Sequence, residues 1–221
     1  MNFFKIAPQA SLPEDTLKQL NAANASYTKT KDFKAYQGQI KTIFQIGEPT
    51  ITDDAKRYLA GFIEGEGSLN VSIKKQDTAK FGVLLDPEFS ISQHVNGISN
   101  LYLAMCVFQT GRISKKSDSK ATLVYRIDNR KSIIEKVLPF FDSFVIPFGS
   151  PVKKERKVIF TKLLYCFDEN KHVNLESFIN EMLPLWDDLR MQKGQSNQSF
   201  RTLDDAISYI IDFISNKENE I

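Results

Sequence analysis

The stretch "LAGFIEGEGS", Leu59–Ser68, changes its periodicity partway through. Upstream, "GEPTITDD" (47–54) punctuates the chain, and either Thr52 or Asp53 can cap a helix running to about Gly65. Downstream, "SLNVSIKK" (68–75) alternates as a strand: Leu69, Val71 and Ile73 point one way, and Ser68, Asn70, Ser72 and Lys74 the other. The helix therefore delivers two acids, Glu64 and Glu66, to its C-terminal end and passes directly into a strand with a polar face. Carboxylates there meet the unfavourable end of the helix dipole, and a bound cation would relieve the conflict. Hard oxygen ligands favour Mg²⁺; two solvated acids at a frayed end are the alternative. Gly61 and Gly65, four residues apart, share one face, where another backbone could approach closely. A helix C-cap is the competing reading of the second glycine.

Outward from this stretch, the pattern repeats in type. "EFSISQ" (88–93) alternates, "GISNLYLAMCVF" (97–108) is helical, and "GRISKKSDSKATLVYRID" (111–128) reads as a hairpin turning at Ser117–Lys120. A helix follows from near Asn129 through "SIIEKVLPFF", and another begins at Ser150–Pro151 and runs through "KVIFTKLLYCF". Weakly amphipathic helices are expected over Leu12–Leu20 and Phe33–Phe44, and further helices over 174–190 and 203–215. "QKGQSNQSF" (192–200) reads as a polar loop. The order helix–strand–strand–helix–strand–strand–helix predicts an α+β fold with an antiparallel sheet. The expected segments are an N-terminal helical extension (1–51), a core (52–165) and C-terminal helices (166–221).

Composition sets bounds. Of 221 residues, 42% are hydrophobic and 17 are Phe, enough for a sizeable aromatic core. The formal charge is only +2, so any affinity for nucleic acid must come from local charge segregation. Two cysteines, Cys106 and Cys166, lie in apolar sequence and argue against a disulfide framework. No apolar run approaches the length of a membrane span. The start, "MNFFKIAPQASLPEDTLKQL", resembles neither a secretory signal nor a transit peptide.

The strand faces show the segregation. Ser68, Asn70, Ser72, Lys74, Ser90, Ser92, Arg112, Ser114, Lys116, Thr122 and Arg126 present donors, with Glu88 the acid expected among them. Leu123, Tyr125 and Ile127 are left for the core. Ser, Thr and Asn with Arg and Lys are the side chains that contact phosphates and base edges. An eight-residue strand spans roughly 26 Å, or about eight base-pair steps.

"LAGFIEGEG" resembles the signature of the LAGLIDADG homing endonucleases, from Leu59, Ala60 and Gly61 to Gly67, and the αββαββα order is that family's fold. The likeness covers residues 52 to about 165 and is strongest to single-motif, homodimeric enzymes encoded in algal chloroplast introns. It implies a saddle-shaped sheet seated in a DNA major groove and motif helices packed at a two-fold axis through Gly61, Phe62 and Gly65. It implies Mg²⁺, with Mn²⁺ as a substitute, held by Glu66 with help from the Gly65 carbonyl. Gln93 resembles the residue that positions water near the metal. Of Lys153 and Lys154 in "PVKKERK", Lys153 is favoured as the lysine near the scissile phosphate. Both motif acids are Glu rather than Asp, and Gly65 stands where the pattern has Ala, which changes the reach of the metal ligand.

The implied activity is site-specific double-strand cleavage of a long pseudo-palindromic DNA target, leaving 3′ overhangs, by a protein encoded and working in the chloroplast or another organelle, without a membrane. The same fold also serves intron RNA maturases and non-catalytic DNA-binding regulators, so intron RNA is a second candidate partner; the retained acids favour cleavage. Elsewhere, Trp186 and both cysteines read as core, and His172 as solvated. His94 reads as structural or phosphate-contacting, and "KKERK" (153–157) as a solvated helix face unless DNA covers it.

Overall fold

The computed structural model describes residues 11–28, 30–190 and 199–219, so most of the 192–200 loop and the first ten residues lie outside the described part. Helices α1 (Glu14–Ser26) and α2 (Phe33–Ile43) precede the motif helix α3 (Asp53–Glu66). Strands β1 (Gly67–Lys75) and β2 (Val83–His94) follow, then α4 (Ile98–Phe108), β3 (Arg112–Lys115) and β4 (Thr122–Ile127). A helical segment α5 (130–145), helix α6 (Pro151–Asp168), a segment α7 (175–190) and α8 (Leu203–Asn219) complete the chain. The strands form one four-stranded sheet in the order β1-β2-β4-β3. This is the α+β architecture that the sequence predicts.

Thr52 is the cap of α3: its side chain accepts from the Ala55 N–H at 3.1 Å. At the other end the helix continues one residue past Gly65, to Glu66, and Gly67 turns directly into β1. A Cβ at Gly67 would lie 2.7 Å from the Ile63 carbonyl oxygen, so only glycine lets the strand leave the helix this abruptly.

Two prolines sit inside helices without ending them. Leu138-Pro139 follows a five-residue π-turn, Ile133–Val137, and Leu183-Pro184 follows another, Phe178–Met182. Proline has no N–H to give and crowds the carbonyl one turn back. The widened π-turn before each proline accommodates both defects.

The chain divides into two compact units, residues 1–68 with 89–148, and residues 69–88 with 149–221. They cut across the linear order, because β2 begins in one and ends in the other and the N-terminal helices pack with β3 and α4. In the first unit, Leu59, Ala60 and Ile63 of α3 are buried. An aromatic cluster fills its centre: Phe89 meets Phe108 edge-on at 5.4 Å and Phe141 at 5.7 Å, and Phe108 meets Phe140 at 5.1 Å. In the second unit Phe160, Leu163, Met182 and Trp186 are buried, and Phe81 packs on Phe178 at 5.5 Å. No helix among the described residues is long and apolar enough to cross a membrane.

Strand β2 begins five residues earlier than the alternation around 88–93 suggests. Val83, Leu85 and Pro87 continue the buried face. Pro87 is tolerated because the pairing of β2 with β4 ends at Phe89↔Ile127 and does not reach it. The extension corrects one expectation. Asp86 joins Glu88 on the polar face, so Glu88 is not its sole acid.

Candidate nucleic-acid interface and cleavage site

The antiparallel register sorts the polar side chains into cross-strand rows. Ser90 lies opposite Arg126, and Arg126 opposite Arg112. Ser92 lies opposite Val124, and Val124 opposite Ser114. His94 lies opposite Thr122, whose carbonyl accepts from the Lys116 N–H at 2.9 Å. All nine positions share one face by strand parity, and none is acidic. Leu123, Tyr125 and Ile127 point to the other face and are buried, as the alternation predicts, while Val124 is buried within the polar face. His94 thus joins this face. It also accepts from the Asn96 N–H through Nδ1 at 3.2 Å, which ends β2 in a short turn.

The part of the face in the second unit differs. Lys74 is ion-paired with Asp86. The Asn70 side chain accepts from Arg156 Nη2 at 2.8 Å. Ser72 and Glu88 are half-buried. Arg112, Arg126 and Lys116, with Ser90, Ser92, Ser114 and Thr122, lie on β3, β4, their connecting turn and the second half of β2.

Arg156 belongs to "KKERK", yet it is 6% exposed. Its Nε donates to the Leu69 carbonyl at 2.6 Å and its Nη1 to the Leu189 carbonyl at 2.7 Å. Burial pulls its pKa down to about 10, which leaves it charged at neutral pH. One residue of the basic run is thus an internal clamp; its i, i+4 spacing to Phe160 on the buried face of α6 was the available signal. Lys153, in the first turn of α6 after the Ser150 cap, is half-buried and belongs to the second unit.

On α3, Gly61 and Gly65 are exposed, and a Cβ built on either would meet nothing within 4 Å. Phe62 is half-buried at the margin of that face, and Tyr58 is 57% exposed on it. Glu66 is exposed at the helix end and Glu64 half-buried. Among the described residues no three His, Cys, Asp or Glu side chains cluster to hold a metal. Mg²⁺ needs no such cluster, because one or two carboxylates with phosphate and water suffice. An exposed carboxylate and the neighbouring Gly65 carbonyl at a helix C-terminus are hard oxygen donors that fit this requirement.

Gln93 points to the opposite face from Ser92, opposite Leu123. Its Oε1 accepts from the His94 N–H at 2.7 Å. Gly97 makes room for it, since a Cβ there would lie 2.7 Å from Gln93 Cγ. The sequence did not single out Gly97 as a functional position. The cysteines are buried thiols whose pKa values burial raises. Trp186 is core, and His172 packs its ring 5.3 Å from Phe167 rather than lying in open loop.

A helix ending in an exposed acid, followed by a donor-lined antiparallel sheet in αββαββα order, defines an α+β nuclease fold. The family described as LAGLIDADG endonuclease matches residues 59–148. The chain is 48% identical to DNA endonuclease I-CeuI of Chlamydomonas moewusii over 93% of its own length and 94% of that protein's. The fold matches the group I intron-encoded homing endonuclease I-CeuI complexed with DNA at a TM-score of 0.86, with 47% identity, covering 94% of this chain and 100% of that one. It also matches the archaeal intron-encoded homing endonuclease I-Vdi141I complexed with DNA at 0.65, with 28% identity over 74% and 98%. The chain belongs to the LAGLIDADG endonuclease family. Enzymes of this family generally depend on a divalent metal.

Proposed function

We propose that this endonuclease works as a homodimer that cuts both strands of a long, pseudo-palindromic double-stranded DNA target and leaves 3′ overhangs. The observation that carries the reading is the pairing on α3 of an exposed glycine face, open at both Gly61 and Gly65, with an exposed acid, Glu66, at its end. Interior helical glycines destabilise by roughly 0.5–1 kcal/mol each relative to Ala. Two in register on an open face are explained by a second copy of the helix. Such a contact brings a second Glu66 close to the first, one for each DNA strand. Residues 52–165 carry the activity, with the flanking helices as additions.

The strand rows supply recognition. Ser68, Asn70, Ser72, Lys74, Glu88, Ser90, Ser92, Arg112, Ser114, Lys116, Thr122 and Arg126 form the DNA-facing set, with Arg112 and Arg126 its strongest base-reading members, since Arg reads guanine bidentately. Twelve residues of β2 extend about 40 Å, or about 12 base-pair steps. Two subunits then cover roughly 20 base pairs.

Glu66, with the Gly65 carbonyl, holds Mg²⁺, for which Mn²⁺ can substitute. Bound there, the ion supplies Lewis-acid charge to the reacting phosphate. Gln93, held by its hydrogen bond to the His94 N–H and by the space at Gly97, orients the attacking water. Lys153 is assigned charge balance at the phosphate by the family likeness alone. The algal relative supports a gene carried in a chloroplast intron.

Glu66→Gln tests the reading, because it keeps shape while removing charge. Cutting of both strands in Mg²⁺ should vanish, while target binding in Ca²⁺, read by mobility shift, persists. Near wild-type cutting would remove Glu66 from the cleavage site, and loss of binding together with cutting would make it structural.

A further inference from the structure

We propose that the N-terminal helical pair α1–α2 is a specificity-positioning element: Asn24, Tyr27 and Tyr36 close the open edge of β3 and hold Arg112 in its reading orientation. This rests on the assignment of Arg112 to the DNA face made above. β3 is an edge strand, and an edge strand offers unpaired backbone groups that weaken its register. Here the edge is closed by side chains. The Ile113 N–H donates to the Tyr36 hydroxyl at 2.8 Å, and the Ile113 carbonyl accepts from Asn24 Nδ2 at 3.0 Å and from the Tyr36 hydroxyl at 3.3 Å. The single proton of the Tyr36 hydroxyl is shared between the Ile113 carbonyl and the nearer Asn24 Oδ1, at 2.9 Å, so the two side chains act as one clamp. In an antiparallel ladder, a residue whose N–H and carbonyl both point outward is flanked by residues bonded to the partner strand. The clamp therefore grips Ile113 between Arg112 and Ser114, both of which face the DNA side, and locks them opposite Arg126 and Val124.

The same pair of helices seats the Arg112 side chain. Its guanidinium lies 5.5 Å from the centre of the Tyr27 ring, and Tyr27 stacks on Tyr36 at 4.5 Å and 9°. Guanidinium, Tyr27 and Tyr36 form a column whose last member holds the backbone next to the first. Burial raises the pKa of both tyrosines, Tyr36 the more strongly, so both remain hydroxyls in neutral solution. Leu12 adds a further tie, its N–H donating to the Lys120 carbonyl in the β3–β4 turn at 2.9 Å.

The test is Tyr36→Phe in the full-length enzyme, which removes one hydroxyl and keeps the stack. Cutting rates are measured on the target and on every single-base variant of it. The expected result is a loss of discrimination of about fivefold, the worth of one hydrogen bond, confined to the base pairs whose discrimination Arg112→Ala or Ser114→Ala also alters. Adding Tyr36→Phe to Arg112→Ala should then cost less than it does alone. Unchanged discrimination, or a uniform loss over all variants, overturns the proposal. Arg112→Ala alone reports separately on the underlying assignment: if it alters no base pair, Arg112 is not a reader, and the clamp then stands or falls on the base pairs shared with Ser114→Ala. Should Tyr36→Phe fail to fold, Tyr27→Leu, which removes the ring beneath Arg112 and leaves the Ile113 clamp in place, must lower discrimination at the Arg112 base pairs, and no change there overturns the proposal equally.

Discussion

Arg112 and Arg126 are direct cross-strand partners on β3 and β4. Like charges placed directly opposite each other destabilise a sheet by roughly 0.2–1 kcal/mol. The contact of Arg112 with Tyr27 offsets about 0.5–1 kcal/mol of this. For Arg112 the two effects nearly cancel, so its side chain does little for the free protein. A polyanion bound over the face turns the same pair into an attraction.

Arg112→Thr should therefore leave the unfolding free energy of the DNA-free protein within about 0.5 kcal/mol of wild type in urea titration. Discrimination at one base pair per half-site should fall by about 1–3 kcal/mol. A uniform loss of affinity across all sequences would instead mark a phosphate contact.

Gly61→Ala and Gly65→Leu separate the chain's own fold from its assembly. A Cβ at either position meets nothing within 4 Å inside the subunit. Gly61→Ala should even favour the isolated helix by about 0.5–1 kcal/mol. Sedimentation should nevertheless show loss of dimer, with loss of double-strand cutting. A Gly65→Leu protein that stays dimeric and active would move the interface elsewhere.

Gly97→Ala should act through Gln93. The new methyl would fall 2.7 Å from Gln93 Cγ, and the side chain must swing aside. A displacement of that size can slow a reaction by up to about 10²-fold. Single-turnover cutting should drop while binding in Ca²⁺ holds. Equal cutting by the two proteins would show that Gln93 does not need this orientation.

Arg156→Met should destabilise the protein. It strands two buried carbonyls and the Asn70 amide oxygen. At about 1–3 kcal/mol for each unsatisfied group, the loss should reach roughly 3 kcal/mol or more in chemical denaturation. A change below about 1 kcal/mol would mean that water replaces the guanidinium.

Much of this was legible in the chain. The switch of periodicity across Leu59–Ser68 located the motif helix and its strand, because helix and strand periods bury different residues. The alternation in 111–128 assigned Leu123, Tyr125 and Ile127 to the core. The start of β2 was hidden by Pro87 and by the adjacent pair Leu84–Leu85, which break the local pattern although the strand continues. Asp86 and its ion pair with Lys74 were hidden with it.

The sequence by itself determined the order of elements, the family, and which residue types could read or cut nucleic acid. These depend on local periodicity and on a contiguous motif, both of which a linear chain displays. The tertiary structure alone decided that Arg112 faces Arg126, that Arg156 is a buried clamp and not a surface charge, and that Asn24 and Tyr36 close the edge of β3. The last two join residues far apart in sequence, 87 positions for Arg156 and Leu69 and 89 for Asn24 and Ile113, while the first is a register that the hairpin pattern leaves open. Register and hydrogen-bond satisfaction are set by how the elements pack, and no local pattern records which partner a buried donor will find.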